Sequence, residues 1–408
     1  MGNVTIIGGG ASGLTAAITA ASAGARVTLI EQNDRVGKKI LSTGNGRCNY
    51  TNMHQEPSCY HSEDPSFPWG IIRQFDAGET VKFFRELGIF PKNREGYLYP
   101  NSDQASSVLD VLRMECRRLH TEIRTDCRCT EIRPKKNGFR LKTTSGEFSA
   151  DRVVLAAGSA ASAVAGSGDL GYRLARQLGH RIVPVVPALV HLRCREHFYK
   201  SVSAQREAAA LQIFADQVCI ARDQGEIQLT NYGISGIPVF QVSGAAARAL
   251  YHRQSVKAVL DFMPDMEWEA FLGFLKERIR IRPEKTLEEF FVGLFPKKLW
   301  DLWLRLGGLP RIQAAGTLTD GQMEALARLI RQFETNVTAA NSFAQAQVCR
   351  GGVDTRDVDP RTLESRLIPG LYFAGEVLDV DGLCGGYNLQ WAWSSGHVAG
   401  KEAAHAKA

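Results

Sequence analysis

The sequence predicts an α/β fold in which a doubly wound parallel sheet, built from both ends of the chain, is interrupted by an α+β insert. Three features predict it. A β-rich run near the N-terminus precedes glycines, a helix and a second β-rich run. The middle of the chain changes to strand-like runs and then helical stretches, and a strand and an apolar helix follow near the C-terminus. These features divide the chain into a discontinuous domain, 1–188 and 338–408, and an insert, 189–337.

Composition excludes several classes of protein. The 408 residues are 44% hydrophobic and 23% charged, which is typical of a globular chain and excludes disorder. No apolar run reaches the ~18 residues of a membrane helix, and strand-like sequence from Val4 leaves no room for a signal peptide. We therefore expect a cytoplasmic protein without a membrane partner. The nine cysteines contain no C-x-x-C pair, so we expect reduced thiols and no metal site.

The most specific motif lies in the first 31 residues. A strand at 4–7 is followed by glycines at positions 8, 10 and 13 and then by apolar residues at helical spacing. The second strand, 26–30, ends at Glu31, which follows the last glycine by 18 residues. A G-x-G-x-x-G pattern inside a βαβ unit, with an acid about 20 residues further on, indicates dinucleotide binding.

Each residue of this motif has a physical role. Gly8 permits a tight turn, Gly10 lets a pyrophosphate approach the backbone, and Gly13 lets helix and strand pack closely. The helix N-terminus offers free N–H groups to phosphates. Glu31 can bind ribose hydroxyls and would repel a 2′-phosphate, which favours the unphosphorylated ribose of FAD or NAD.

A second glycine pattern occurs at positions 166, 168 and 171. We interpret it as a loop leading into a helix at 172–178 rather than as a separate NAD(P) site. A small-residue linker separates it from the preceding strand, 153–155, and no strand ending in an acid follows at the right distance.

The segment 38–49 alternates small and polar residues around two glycines. It suits a plain glycine turn or a loop whose backbone touches a flat or phosphorylated ligand, with Lys39 and Arg47 supplying charge. Further along we expect three strands, near 123–132, 138–148 and 152–157. A β-meander followed by a strand that returns to the parallel sheet is typical of an FAD domain rather than of a simple NAD domain.

The insert is interpreted as the domain that shapes a substrate pocket, with the substrate held between the two domains. We expect strands near 189–194, 209–222 and 256–262, then helices around 266–306 and 322–333. The GISG segment, 233–236, predicts a turn into a helix. His191 and His197 have no supporting catalytic partners in the sequence, so we assign them structural roles.

The C-terminal region suits a flavin. A strand ends at Gly375-Glu376, and an apolar helix begins at Gly386-Tyr387-Asn388. Reduced flavin carries negative charge near N1 and O2, and a helix N-terminus directs about half a positive charge and free N–H groups there. Asp379 or Glu376 can hold hydroxyl groups of the ribityl chain.

The segments GGGASGLTAA, GKKILSTGNGRCN, GISG and GLYFAGEVLDVDGLCGGYNLQWAWSSG resemble the HI0933-like flavoproteins, also grouped as the bile-acid-inducible N and aminoacetone oxidase family. The resemblance covers nearly the whole chain. It implies FAD bound by a Rossmann-type domain of the glutathione-reductase and fumarate-reductase kind. Motifs and resemblance together predict these cofactor-binding residues: Gly8, Gly10, Ala11, Ser12, Gly13, Glu31, Gln32, Lys39, Gly44, Asn45, Arg47, Cys48, Cys129, Ala156, Gly158, Gly375, Glu376, Asp379, Gly386, Tyr387, Asn388 and Leu389.

Two segments depart from the family pattern. The stretch 158–162 lacks the Lys and Pro that many members have there, and Asn231 stands where His is common. Both lie in regions expected to bind substrate, so the substrate cannot be inherited from relatives. The resemblance itself implies two chemistries, which are reduction of conjugated ring double bonds in steroids and oxidation of aminoacetone.

We therefore expect an FAD-dependent oxidoreductase in which flavin N5 exchanges hydride with a small organic substrate. Reduction of an activated C=C bond, with NADH or NADPH as transient electron donor, is favoured over amine oxidation that produces hydrogen peroxide. No residue is assigned as a catalytic acid or base, and oligomeric state is not readable.

An alternative of another class is a flavin-containing redox sensor or a nucleic-acid-binding protein. A basic stretch could attract nucleic acid through these residues: Arg113, Arg117, Arg118, Arg124, Arg128 and Arg133. We disfavour this alternative because no aromatic residues are interleaved with the arginines for base stacking.

Overall fold

A computed structural model describes residues 2–164 and 166–405. The strands are β1 (Asn3–Ile7), β2 (Arg26–Ile30), β3 (Thr51–Asn52), β4 (Tyr60–His61), β5 (Pro91–Arg94), β6 (Tyr97–Pro100), β7 (Glu122–Arg124), β8 (Cys129–Lys135), β9 (Gly138–Thr143), β10 (Gly146–Ala150), β11 (Arg152–Leu155), β12 (Ile182–Ala188), β13 (Leu192–Cys194), β14 (Arg206–Ala215), β15 (Val218–Leu229), β16 (Gly233–Ser235), β17 (Val256–Asp261), β18 (Phe333–Ala340), β19 (Val348–Val353), β20 (Leu371–Phe373) and β21 (Asp381–Gly382). The helices are α1 (Ala11–Ser22), α2 (Lys38–Leu41), α3 (Ser66–Ile72), α4 (Ala77–Glu86), α5 (Ala105–Arg118), α6 (Leu170–Gln177), α7 (Tyr199–Val202), α8 (Ile237–Tyr251), α9 (Trp268–Ile281), α10 (Leu287–Phe291), α11 (Lys297–Leu306), α12 (Asp320–Arg331) and α13 (Tyr387–His405).

The chain divides into two compact units. The first contains the chain up to Val186 and again from Phe343, and the second runs from Pro187 to Ser342. Strand β18 continues to Ala340, so the boundary expected at 337/338 falls within a strand. Within the described ranges, no helix combines the length and apolarity that crossing a bilayer requires.

The first unit is organised around a parallel sheet with the strand order β20-β11-β1-β2-β7. All four pairings are parallel, and β20 places a strand from the C-terminal region beside the N-terminal βαβ unit. Strands β1 and β11 are almost entirely buried, as expected for a sheet covered on both faces. The predicted α/β fold class is confirmed.

Helices α1 and α13 pack with their backbones in direct contact. A Cβ atom on Gly396 or Gly400 would lie closer than van der Waals contact to the carbonyl oxygen of Ser12 or Ala16, respectively. Helix α13 also holds the segment after β20, because Trp391 Nε1 donates to the Gly375 carbonyl at 3.1 Å. The last helix of the chain is thereby fixed against the first.

The second unit contains a closed antiparallel barrel with the order β13-β16-β15-β14-β17-β18. Its strands alternate between buried and more exposed positions, and the inward side chains form a core with helices α8 to α12. Closure depends on β18, which follows the helices in sequence and pairs with both β13 and β17.

Three predicted strands are each two strands in the structure. The run 123–132 contains β7, which pairs with β2 in the parallel sheet, and β8, which pairs with β9 in an antiparallel sheet. The run 209–222 is two strands joined at Asp216 and Gln217, which both have positive φ values without being glycine. The run 138–148 is likewise two paired strands, β9 and β10. The helical character predicted around 266–306 is confirmed, and the region contains three helices separated at Pro283 and Pro296, which lack the N–H group that a continuous helix needs.

The contact between α1 and α13 predicts that Gly400→Ala destabilises the protein. The added methyl would overlap the backbone of Ala16, and overpacking of this kind costs about 1–3 kcal/mol. Gly273→Ala in α9 is the matched control, because nothing lies within 4 Å of that Cβ position. We expect the control to be neutral or slightly stabilising in urea unfolding. Equal stabilities of the two variants would contradict the packing argument.

His397 in α13 predicts a loss of stability in acid. Its ring stacks on Phe75 at 4.2 Å, and burial lowers its pKa from 6.5 to about 4. The unfolded chain takes up a proton below pH 6.5, whereas the folded protein resists protonation down to about pH 4. The free energy of unfolding is therefore highest above pH 6.5. It decreases as the pH falls from 6.5 to about 4, by at most about 3 kcal/mol. Unfolding of His397→Phe should depend less on pH between 7 and 4.5 than unfolding of the wild type.

Candidate functional site

A cleft lies at the carboxyl ends of three strands of the parallel sheet, which is where open α/β sheets bind their ligands. Strands β1, β2 and β11 each deliver the chain into it. The cleft is lined by Ile7, Gly8, Gly9, Gly10, Ile30, Glu31, Gln32, Asn33, Arg35, Gly37, Lys38, Lys39, Cys127, Cys129, Ala156, Ala157, Gly158, Ser159, Val164, Gly166, Ser167 and Leu170.

The turn between β1 and α1 presents its backbone to this cleft. Gly8 has φ +108°, a conformation that L side chains rarely adopt, and a Cβ on Gly13 would overlap the Gly8 carbonyl. Gly10 differs, because nothing lies within 4 Å of its Cβ position. Helix α1 begins directly after Gly10 without a side-chain cap, so no side chain accepts its first N–H groups. The turn therefore offers a cradle with donors for a phosphate group.

Glu31 is held in place at the end of β2. Its Oε2 accepts the Gly9 N–H at 2.8 Å, and its Oε1 accepts the Asn33 backbone and side-chain N–H groups at 2.8 and 2.7 Å. These contacts fix the carboxylate beside the glycine turn. Each carboxylate oxygen has two lone pairs, so acceptor capacity remains for a ligand hydroxyl.

Positive charge lines the same cleft. Arg35, Lys38 and Lys39 all contribute to its wall. Lys39 Nζ donates to Glu376 Oε2 at 2.7 Å, and Ser159 Oγ donates to the same oxygen at 2.8 Å. This three-residue contact ties helix α2, the loop after β11 and the segment after β20 together. An anionic ligand at the α1 N-terminus would meet both fixed donors and cations.

The second glycine pattern also contributes to the cleft, which the sequence analysis missed. Gly166 and Ser167 are among its lining residues, and Gln32 Nε2 donates to the Gly166 carbonyl at 2.6 Å. The pattern is a loop leading into α6, as interpreted, but it belongs to the same site as the first glycines. The available signal was a run of small residues and glycines between a strand of the parallel sheet and the next helix.

The sequence of this chain matches one protein family over nearly its whole length. Residues 2–402 match the HI0933-like protein Rossmann domain. The chain belongs to the HI0933-like family. The predicted family is therefore confirmed.

Two curated relatives are similar to this chain over nearly their whole length. The chain is 47% identical over 99% of each chain to the 3-dehydro-bile acid delta(4,6)-reductase of Clostridium scindens. It is 30% identical over 98% of each chain to the ribosomal RNA dihydrouridine synthase of Escherichia coli. The relationship to a reductase confirms the sequence prediction of an oxidoreductase.

A solved structure shares the fold. The 3-ketosteroid delta1-dehydrogenase of Sterolibacterium denitrificans, in complex with 1,4-androstadiene-3,17-dione, matches with a TM-score of 0.50 and 12% identity over 100% of each chain.

The residues predicted to bind a cofactor fall into several places. Those in the cleft are Gly8, Gly10, Glu31, Gln32, Lys39, Cys129, Ala156 and Gly158. Ala11, Ser12 and Gly13 form the first turn of α1, and Gly375 packs against Ser12 so closely that a Cβ atom would overlap it. Glu376 does not line the cleft, but its carboxylate accepts a hydrogen bond from the lining residue Lys39. The remaining predicted residues lie outside the lining of this cleft.

A second group surrounds the start of α13. A Cβ on Gly386 would approach the Thr51 carbonyl carbon to 2.8 Å. The Asn388 amide is occupied by the preceding loop, since its Oδ1 accepts the Gly382 N–H at 2.8 Å and its Nδ2 donates to the Gly382 carbonyl at 2.8 Å. Its side chain therefore shapes the loop, and Tyr387 and Leu389 flank Asn388 in the first turn of the helix.

The turn at 43–48 has an unusual backbone. Gly44, Asn45 and Cys48 have φ values of 54°, 53° and 58°. Gly44, Asn45 and Arg47 are exposed, whereas Cys48 is completely buried, and burial raises the pKa of its thiol to about 12. The thiol is thus protonated at neutral pH and has no reactive character.

Asp379 is buried and accepts the Glu63 N–H at 2.9 Å. Its backbone N–H donates to the Val353 carbonyl at 2.9 Å. These contacts anchor the segment between β20 and β21.

Arginines of the basic stretch are paired with neighbouring acids. Four ion pairs occur: Arg113–Asp110, Arg118–Glu115, Arg124–Glu122 and Arg133–Glu131. The stretch therefore presents less net positive charge than its sequence suggested.

Proposed function

We propose that this protein is an FAD-dependent reductase of a carbon–carbon double bond conjugated with a carbonyl group. The observation that carries the proposal is the 47% identity, over 99% of each chain, to a bile acid delta(4,6)-reductase. The reaction named for that relative and the formation of dihydrouridine share one chemistry. Each adds two hydrogens across a C=C bond that a nearby carbonyl polarises.

The residues of the cleft fit FAD. The open space at Gly10 and the uncapped N-terminus of α1 suit the diphosphate, and Glu31 suits the hydroxyls of an unphosphorylated adenosine ribose. Lys39, held by Glu376, adds a cation near the diphosphate. The first turn of α13 has backbone N–H groups without partners inside the helix, and such groups can stabilise negative charge on a reduced flavin.

Bound FAD would supply hydride from N5 to the electron-poor carbon of the double bond. The protein's contribution is to hold and orient the cofactor. Glu31 fixes the glycine turn by accepting the Gly9 N–H, and Asn388 fixes the loop before α13. We propose NADH or NADPH as the electron donor and a small organic enone as the substrate.

A second candidate is reduction of uracil in RNA. The 30% identity over 98% of each chain to a ribosomal RNA dihydrouridine synthase favours it. The ion pairing of the basic stretch argues against RNA binding through those arginines, since paired charges release fewer counterions. We therefore place the small-molecule substrate first.

Gly10→Val tests the cofactor assignment. No atom lies within 4 Å of the Gly10 Cβ position, so the side chain should leave the unfolding free energy of the apoprotein within about 1 kcal/mol of wild type. It would occupy space needed by the diphosphate and should weaken FAD binding at least tenfold in a fluorescence titration. Gly10→Ala should give an intermediate effect. Unchanged FAD affinity in Gly10→Val would refute this location of the diphosphate.

Anaerobic stopped-flow mixing tests the reaction. We expect NADH or NADPH to bleach the flavin and a 3-oxo-4-ene bile acid to restore its absorbance with formation of the saturated ketone. The saturated ketone itself is the matched control and should not reoxidise the flavin. Reoxidation by a uracil-containing RNA but not by the enone would favour the second candidate. Hydrogen peroxide release with aminoacetone, without enone reduction, would replace the reductase with an amine oxidase.

A further inference from the structure

Four segments of the second unit meet beside the short antiparallel strands β13 and β16. His191 directly precedes β13, Tyr232 precedes β16, Phe240 lies in the first turn of α8, and Asn341 directly follows β18. All are parts of the unit that runs from Pro187 to Ser342. Loops beside such strands are a common location for ligand sites, because a rigid scaffold positions them.

Asn341 organises this cluster. It is 6% exposed, its backbone N–H donates to the His191 carbonyl at 2.9 Å, and its Nδ2 donates to Tyr232 Oη at 3.3 Å. The Tyr232 hydroxyl is thus used as an acceptor. Among the described residues nothing accepts its own proton, so the O–H group remains available as a donor.

Arg193 brings a positive charge without a carboxylate partner. Its guanidinium lies 5.2 Å from the centre of the Tyr232 ring, and its Nη1 donates to Asn341 Oδ1 at 3.4 Å. In the described part of the chain no acid lies within ion-pair distance of it. Other arginines of this unit, such as Arg206 with Glu226 and Arg331 with Asp261, have an acidic partner. An unpaired guanidinium beside a tyrosine O–H is suited to an anionic oxygen.

His191 completes the polar wall. Its Nδ1 is buried and has no hydrogen-bond partner among the described residues, and burial lowers the pKa of the ring, which is therefore neutral at pH 7. Its ring packs edge-on against Phe240 at 5.3 Å and lies 6.4 Å from Tyr232. A buried polar atom without a partner is unfavourable, and a bound group that supplied a partner would offset that cost.

We propose that Arg193, Tyr232, His191 and Asn341 form a binding site for the carboxylate of an acid with an apolar body. Arg193 and the Tyr232 O–H bind the carboxylate, Asn341 positions the tyrosine, and the rings of Phe240 and His191 contact the apolar part. The site adds a class of ligand to the proposed function. It rests on the proposed function only for the identity of the apolar body. It would select acids over their neutral analogues.

Isothermal titration of the full-length protein with 3-oxochol-4-en-24-oate and with its methyl ester tests the proposal. The two probes have the same enone and differ in the carboxylate. We expect the acid to bind at least tenfold more tightly than the ester. Arg193→Gln and Tyr232→Phe should each remove most of that difference while leaving the affinity for the ester within twofold.

Arg206→Gln is the control variant, because Arg206 is an exposed arginine of the same barrel that pairs with Glu226. It should bind both probes like the wild type, and all variants should keep the wild-type thermal unfolding profile. Equal affinity of acid and ester, absence of acid binding, or an acid preference that survives Arg193→Gln would each overturn the site. Enone reduction with no preference for the acid would retain the proposed function but reject this site. An acid preference that depends on Arg193, without enone reduction, would retain this site but reject the proposed function.

Discussion

The direct backbone contact between α1 and α13 is the constraint on which the cleft at the carboxyl ends of the parallel strands depends. Gly396 and Gly400 let α13 approach α1 to a distance that a side chain would forbid. The approach sets Gly375 against Ser12, where its N–H donates to Ser395 Oγ at 2.9 Å. The ends of β1 and β20 are therefore fixed relative to one another by residues more than 350 positions apart.

Much of the fold was readable from the sequence because its signals are local. The glycine turn, the helix after it and Glu31 lie within one βαβ unit, and each has a single physical reason to occur there. The small residues after β20 and the start of α13 were visible for the same reason. Local glycine and helix signals therefore located most of the parallel sheet and the residues at its edge.

Other features depend on contacts between distant residues and were hidden. Gly166 is held at the cleft by a hydrogen bond that its carbonyl accepts from Gln32 Nε2. No rule of sequence spacing connects these two residues. The Asn388 amide forms hydrogen bonds with the loop that precedes α13, which composition cannot show. In the insert, β18 closes the barrel after a long helical segment, and sequence alone does not reveal the partner of a strand that pairs so far along the chain.

The joining of the two chain ends has a consequence during synthesis on the ribosome. Helix α1 ends at Ser22, but the helix that covers it does not begin until Tyr387. At about 5–20 residues per second, α1 waits roughly twenty seconds to over a minute for its partner. Its apolar side chains are accessible to chaperones throughout that interval, whereas the barrel can close as soon as β18 emerges. The inserted unit is therefore able to fold before the unit that encloses it in sequence.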